Sequence, residues 1–274
     1  MVATPIGNLA DITFRAVEVL RNVDLIAAED TRHTKRLLDH YDVRTPCTAY
    51  HEHNERQMTP RLIERLVQGQ SVALVSDAGT PLISDPGYHL IDAAHDTHAV
   101  PIIPIPGPSA VISALSVAGL PNDRFVFEGY LPAKPGARRR RLEEMGAETR
   151  TMVFYEAPHR IEAALADMAG AFGAGRRATC ARELTKTFET VQRATLEELS
   201  ARVQTDQDQR RGEFVLLVQG RPTPDKAPDE AHDLMLAVLL RHVPLKTAVV
   251  IAAELSGEKK NLLYQRAVAL AEDR

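Results

Sequence analysis

The stretch Ala73-Leu74-Val75-Ser76-Asp77-Ala78-Gly79-Thr80-Pro81-Leu82-Ile83-Ser84-Asp85-Pro86-Gly87-Tyr88 decides the reading of the fold. It leaves a continuous apolar run, Ser71 to Val75, of the kind that forms a buried strand. It passes through a loop of Asp, Ser, Gly and Pro, and resumes as a helix expected over Gly87 to Ala94. On either side the alternation repeats. Asp24 to Ala28 and Val100 to Ile105 read as strands, and Thr31 to Tyr41, Glu55 to Val67 and Ser109 to Val117 as helices. Short apolar runs alternating with amphipathic stretches predict a largely parallel sheet with helices on both faces.

Gly119-Leu120-Pro121-Asn122-Asp123 is a cluster of breakers and marks a boundary. A second α/β unit is expected beyond it. Its strands are Phe125 to Phe127, Thr151 to Tyr155, Ala178 to Ala181 and Glu213 to Val218, with a helix over Arg160 to Met168. Their Phe, Val and Thr content suits a sheet packed on one face. The polar, proline-rich segment Gly220 to Pro228 reads as a linker. Three helices follow, over Asp229 to Arg241, Pro244 to Leu255 and Glu258 to Ala271, with Pro244 at a helix start and Ser256-Gly257 as a stop. The expected organisation is an N-terminal α/β domain over 1–119, a second over 120–222 and a helical tail over 229–274.

Composition narrows the class. The 274 residues are 44% hydrophobic and 26% charged, enough to bury a substantial core. The formal net charge of -4 argues against a coat of basic charge, though not against a local basic patch. Aromatics are 5% and Trp is absent, so stacking platforms for nucleic acid are few. Cys47 and Cys180, far apart, make neither a disulfide framework nor a zinc motif. No apolar run approaches a membrane span, and the start lacks the pattern of a signal peptide. A soluble cytoplasmic protein is expected. Met1-Val2-Ala3-Thr4-Pro5 leaves almost no room for a strand before the first loop. A few strand residues are therefore expected to be missing or altered there.

Ligands of open parallel sheets bind beyond the carboxyl ends of the strands. Four clusters fall there: Thr4 to Asn8, Ser76 to Gly87, Pro104 to Ala110, and Glu29-Asp30-Thr31-Arg32-His33. Glycine lets backbone approach a ligand closely and proline fixes loop shape. The plain alternative is ordinary turns whose Asp and Ser cap helices. Neither GxxxxGK[ST] nor a GxGxxG after a strand is present, so phosphate-cradling and standard dinucleotide sites are not indicated. The loops offer backbone and small side chains instead of a Lys or Arg cluster, which suits a non-phosphorylated moiety such as an adenosine.

The strings ATPIGNL, AAEDTRHT, YHEHNE, ALVSDAGTPLISDPGY, PIPGPSA, GLPNDRFVFEGYLP, VFYEAPHR, ARELTKTFE and RGEFVLLVQG run in order from Ala3 to about Gly220. Together they resemble the bacterial ribosomal RNA small-subunit methyltransferase I family, of the tetrapyrrole-methylase fold group, and the tail ending AAELSGEKKNLLYQRAVAL resembles it too. The resemblance implies two α/β domains with S-adenosylmethionine in the cleft between them and a small C-terminal helical unit. It implies methyl transfer to the ribose 2′-oxygen of a cytidine in the decoding region of 16S rRNA. The rRNA would be met within the small ribosomal subunit, by a homodimer. Carried over by position, Pro5, Gly79, Thr80, Ile83, Ser109 and Ala110 would hold the cofactor from the first domain. Tyr155, Glu156, Leu184 and Thr185 would approach its adenosine from the second.

A ribose hydroxyl is a weak nucleophile and needs a base or a cation favouring its alkoxide. Arg182-Glu183-Leu184-Thr185-Lys186 supplies both types. Glu183 could take the proton; Lys186 could do so with a lowered pKa, or could stabilise the alkoxide. A solvated Glu–Lys pair is the plain alternative. Arg182 is a candidate for the substrate. His51-Glu52-His53-Asn54-Glu55 lacks a third distant ligand, so no metal is expected, and His51 and His53 are assigned to RNA contact or a helix cap, with His53 also a candidate base. The resemblance favours Arg32 as substrate-facing, and Arg160, at a helix start, as a phosphate contact. Lys134 and Arg138 to Arg141 form the dense basic run, either an RNA contact or a solvated helix face. Two other functions share this fold: methylation of a small molecule such as a tetrapyrrole, and a non-catalytic ribosome-assembly factor that keeps the pocket.

Overall fold

In the computed structural model, which describes residues 1–97, 100–222 and 228–272, contacts group the chain into two units, Met1–Arg221 and Pro222–Arg274. The first unit holds two sheets. In the first sheet, strand β1 (Leu25–Ala28) lies between β2 (Cys47–Ala49) and β3 (Val72–Val75), parallel to both. Asp24 sets the register, its carboxylate accepting from the backbone N–H and hydroxyl of Ser71, each at 2.7 Å.

All of β1 is buried because both faces are covered. Ile26 and Ala28 pack with Ala16, Val17 and Leu20 of helix α1 (Phe14–Asn22) and Leu38 of α2 (Thr31–His40). Leu25 and Ala27, one residue out of phase, pack with Leu62 of α3 (Glu55–Val67) and Leu90 of α4 (Tyr88–Asp96). Period-two alternation thus serves two cores at once. Helix α1, unread in the sequence, starts where Thr13 Oγ1 accepts from the Ala16 N–H.

The strand expected over Val100–Ile105 does not form. Pro101 and Pro104 cannot donate to a ladder, and only Ile105 bridges, to Val2. The first residues sit between this segment and β3: Val2 N–H donates to Leu74 O at 3.0 Å, and Ile105 N–H to Met1 O at 2.8 Å.

The second sheet runs β4 (Phe125–Tyr130), β5 (Thr151–Glu156), β8 (Phe214–Val218), β6 (Arg177–Arg182) and β7 (Thr190–Thr195). Only β4 and β5 are parallel; the other neighbours are antiparallel. It is packed on both faces, not one. Met152, Phe154, Cys180 and Leu216 meet α6 (Pro135–Glu144), α7 (Ile161–Phe172) and α8 (Leu196–Thr205), as in Leu142, Leu165 and Leu199. Val153, Ala181, Val215 and Leu217 meet Val111, Ala114 and Leu115 of α5 (Ala110–Val117). The last helix before the breaker cluster therefore serves the second sheet.

The helical unit comprises α9 (Pro228–Leu239), α10 (Leu245–Ser256) and α11 (Lys260–Glu272) around Leu236, Val249, Ala252, Leu263 and Ala267. Pro244 precedes α10 and Gly257, at φ 74°, ends it, as expected. The middle of the expected linker, residues 223–227, lies outside the described residues.

Candidate active site

The glycine- and proline-rich loops meet. Thr4 and Gly79 exchange backbone hydrogen bonds at 2.9 and 3.0 Å, joining the first loop to the loop after β3. Thr80 Oγ1 donates to Pro108 O at 3.0 Å, joining that loop to the third. Gly79 sits at φ 84°, Leu82 at 75° and Ser84 at 71°. Left-handed backbone at two non-glycine residues is costly and concentrates where structure serves a ligand. Across the second sheet, Glu183 and Thr185 are also left-handed, at φ 53° and 68°.

These loops and the ends of β4, β5, β6 and β8 line a single cleft, the kind of concave, mixed polar and apolar place where small ligands bind. Its lining includes Gly79, Thr80, Ile83, Ser109, Ala110, Tyr155 and Leu184, seven of the ten residues assigned to the cofactor. Pro5 is replaced in the lining by its neighbour Ile6, and Thr185 by Leu184. Glu156 faces away. Adjacent strand residues point to opposite faces, and with Tyr155 in the cleft, Glu156 is buried on the other side, ion-paired with Arg160 at 3.1 Å. Arg160 also donates to the carbonyls of Leu131 and Pro132, so it braces the start of α7. Arg182 is likewise buried and turned inward, donating to the carbonyls of Asp208 and Arg211 at 3.0 and 3.2 Å.

Glu183 and Lys186 stand behind the cleft wall. Lys186 Nζ donates to Glu183 Oε1 at 2.9 Å and Glu213 Oε2 at 2.8 Å, and Glu183 Oε1 also accepts from the Glu213 N–H. Burial disfavours the Lys186 ammonium, but the two carboxylates outweigh it and raise its pKa. Burial likewise disfavours the Glu183 carboxylate, but Lys186 and the Glu213 N–H hold its pKa below the ordinary value. Of the two roles the sequence left open for Lys186, the raised pKa goes against a base with a lowered pKa and leaves that of a cation. Gly7 is required here: a Cβ would lie 2.5 Å from Lys186 Cγ, so the first loop could not close on this pair.

The cleft's own charge is acidic. Glu29, Asp77, Asp85 and Glu213 line it, with no Lys or Arg. Asp77 Oδ1 accepts from the Asp30 N–H at 3.0 Å, and Glu29 Oε2 from the Asp77 N–H at 3.3 Å. Burial, first, raises the Glu29 pKa, with neighbouring Asp77 and Asp30 adding to it. Burial and then the charge of Glu29 push Asp85 up to about 6. Burial and Asp85 together push the Tyr155 phenol up to about 12. Asp85 and Asp77 lie within the quoted loop, but neither is singled out there, because Asp in such a loop is equally a helix cap. In the structure Gly87 precedes α4 without a side-chain cap, leaving Asp85 to the cleft.

The other candidates are dispersed. His51 lies near Glu29 with a buried Nδ1 lacking a hydrogen-bond partner, and His53 stacks edge-on against it at 5.9 Å. Arg32 is 90% exposed, paired with Asp30 at 2.8 Å, and borders a separate groove with Lys35 and Arg44. The basic run is divided between the fold and the surface. Arg138 is buried against Asp167 at 2.7 Å, and Arg141 binds Glu128 at 2.6 Å, leaving Lys134, Arg139 and Arg140 exposed.

Comparison with known proteins gives three results. The family described as tetrapyrrole (corrin/porphyrin) methylases matches residues 1–200, and the RsmI C-terminal HTH domain matches residues 226–271. Ribosomal RNA small subunit methyltransferase I of Pseudomonas aeruginosa is 54% identical over 98% of this chain and 95% of its own. The protein of that name from Escherichia coli O157:H7 is 50% identical over 98% and 93%. Among solved structures, cobalt precorrin-4 methyltransferase superposes with a TM-score of 0.58 at 15% identity, covering 80% of this chain and 92% of its own. Diphthine synthase does so at 0.59 and 16%, over 80% and 88%. At such identities the likeness is one of fold.

Proposed function

The chain belongs to the ribosomal RNA small subunit methyltransferase I family, and on that premise we propose that it methylates 16S rRNA with S-adenosylmethionine, at the ribose 2′-oxygen of a cytidine in the decoding region. The observation that carries this reading is the convergence of three loops on an acid-lined cleft without Lys or Arg. Such a cleft repels a polyphosphate cofactor and suits one bearing a sulfonium and an ammonium. Gly79, Thr80, Ile83, Ser109 and Ala110 would hold the methionine part, and Tyr155, Ala181 and Leu184 the adenosine. S-adenosylmethionine supplies an electrophilic methyl group.

The protein's own part is positioning and proton removal. Asp85 is the acceptor the geometry favours. It lines the cleft, no cation pairs with it there, and a pKa of about 6 matches a base working near neutrality. Lys186, held charged, keeps the Glu183–Thr185 turn, the Glu213 loop and Gly7 together. The substrate would be rRNA within the small subunit and the working form a cytoplasmic homodimer. No helix among the described residues is long and apolar enough to cross a membrane.

The test pairs calorimetry of S-adenosylmethionine binding with methyl transfer to isolated 30S particles, to naked 16S rRNA and to no RNA. Binding with transfer to the RNA-containing samples is expected. Transfer to a porphyrin precursor but to no RNA sample would replace the reading with small-molecule methylation, and binding without any transfer would replace it with an assembly factor.

A further inference from the structure

Strand β4 contains an irregularity that changes what the cleft can hold. Val126 and Phe127 pair with Met152 and Val153, but the register then slips, so that Gly129 pairs with Phe154 and Tyr130 with Tyr155. This is a bulge, uncommon in a parallel pair, with one extra residue on β4. In a regular strand Phe127 and Gly129 would share the cleft face and Tyr130 would point away. The bulge reverses this. Glu128 is on the far face in either register, its carboxylate accepting from Arg141; Gly129 now pairs with Phe154, and Tyr130 comes onto the face of Tyr155 and Phe127. Gly129 makes the slip possible: it sits at φ 64°, and a Cβ there would lie 3.0 Å from Ser84 Oγ of the cleft loop.

The Tyr130 ring is thus turned into the cleft yet 57% exposed, 5.6 Å from the more buried Tyr155 ring. So much aromatic surface left in water is surface that a partner could still bury. An rRNA base whose ribose must reach Asp85 has to leave its stack, and an exposed aromatic face is what replaces the lost neighbour. Buried more deeply, Tyr155 suits the cofactor side, and Tyr130 the entrance.

We propose that Tyr130, re-aimed by the bulge at Glu128-Gly129, is the platform on which the base of the target nucleotide stacks during methylation. This deepens the rRNA reading and rests on it. The ring acts as a positioning group: it takes no proton and holds the nucleoside so that its 2′-hydroxyl faces the carboxylate.

The experiment compares Tyr130→Phe, Tyr130→Leu and the wild type in the full-length protein. It measures KM for 30S particles, the calorimetric Kd of S-adenosylmethionine, and the fluorescence of a 16S rRNA fragment carrying a fluorescent cytidine analogue at the target position. Leu keeps apolar bulk without a π face, so lost stacking is read without a cavity. Tyr130→Phe is expected to keep a wild-type KM and the quenching that stacking produces. Tyr130→Leu should raise KM about tenfold and abolish the quenching, with cofactor Kd unchanged, since a base–aromatic stack contributes about 1–3 kcal/mol. An unchanged KM and quenching in Tyr130→Leu overturns the inference. So does a Kd for S-adenosylmethionine that rises in step with KM, which would place the ring on the cofactor. A wild type that methylates no RNA overturns the parent reading instead, so the two failures are separable.

Discussion

The acids of the cleft and the charged residues behind its walls contrast sharply. Glu29, Asp77 and Asp85 sit together with no lysine or arginine in the lining, and burial raises Glu29 and Asp85. Outside that cluster acids and cations pair: Arg138 with Asp167, Arg160 with Glu156, and Lys186 with Glu183 and with Glu213 of the lining. Buried charge without a partner is costly, so a fold leaves it unmatched only where something else is to complete it. Paired charge outside the cluster holds the fold together; the acids left without a cation, Glu29, Asp77 and Asp85, are where the proposed function places its chemistry.

Removing Asp85 tests that contrast most strongly. Asp85→Asn should lower kcat about 10²–10⁴-fold, the usual worth of a positioned base. In the wild type the rate should rise with pH through about 6 and then level off, because only the carboxylate accepts a proton, and the variant should lose that limb. The sign for stability is opposite. A folded pKa raised from 3.8 to about 6 means the folded state binds the extra proton between those values, so stability falls as pH rises across that window. Asp85→Asn should therefore raise Tm at pH 7 by about 2–4 °C. A fall in both activity and Tm would make Asp85 a structural residue.

Arg138→Ala should do the reverse. Removing the buried partner leaves the Asp167 carboxylate only its longer, exposed pair with Arg139 at 3.9 Å and should cost about 2–3 kcal/mol in a denaturant titration. The methylation rate per folded molecule should be little changed. If RNA affinity fell while stability held, the basic run would regain its role as a contact. Lys186→Gln should weaken cofactor binding about tenfold by calorimetry, through loosening of the Glu183–Thr185 turn. A loss confined to kcat would return Lys186 to direct stabilisation of an alkoxide. The smallest effect belongs to Arg32→Ala. Its ion pair is exposed and contributes little to stability, so Tm should hold. A phosphate contact would appear as a salt slope for RNA binding shallower by about one.

Much of this was legible in the residues. The glycine and proline loops pointed to strand ends, where the structure has its cleft, and the missing phosphate motifs left a cofactor without a phosphate chain. Strand alternation also contained information that position-by-position transfer ignored: Tyr155 and Glu156 are neighbours on β5 and cannot both face the cleft. Less legible was the strand over Val100–Ile105, where apolar content suggested pairing that Pro101 and Pro104 prevent.

By itself the sequence determined the family, the two α/β halves, the helical tail and the loops that line the cleft, because these depend on local pattern and ordered strings. Tertiary structure alone decided which charges are spent and which remain. Arg138 and Arg140 are two residues apart and chemically identical, yet one is buried on Asp167 and the other exposed. Pairing and protonation depend on distance and burial set by residues far along the chain, and the side of a sheet that Tyr130 faces depends on one slipped residue of register.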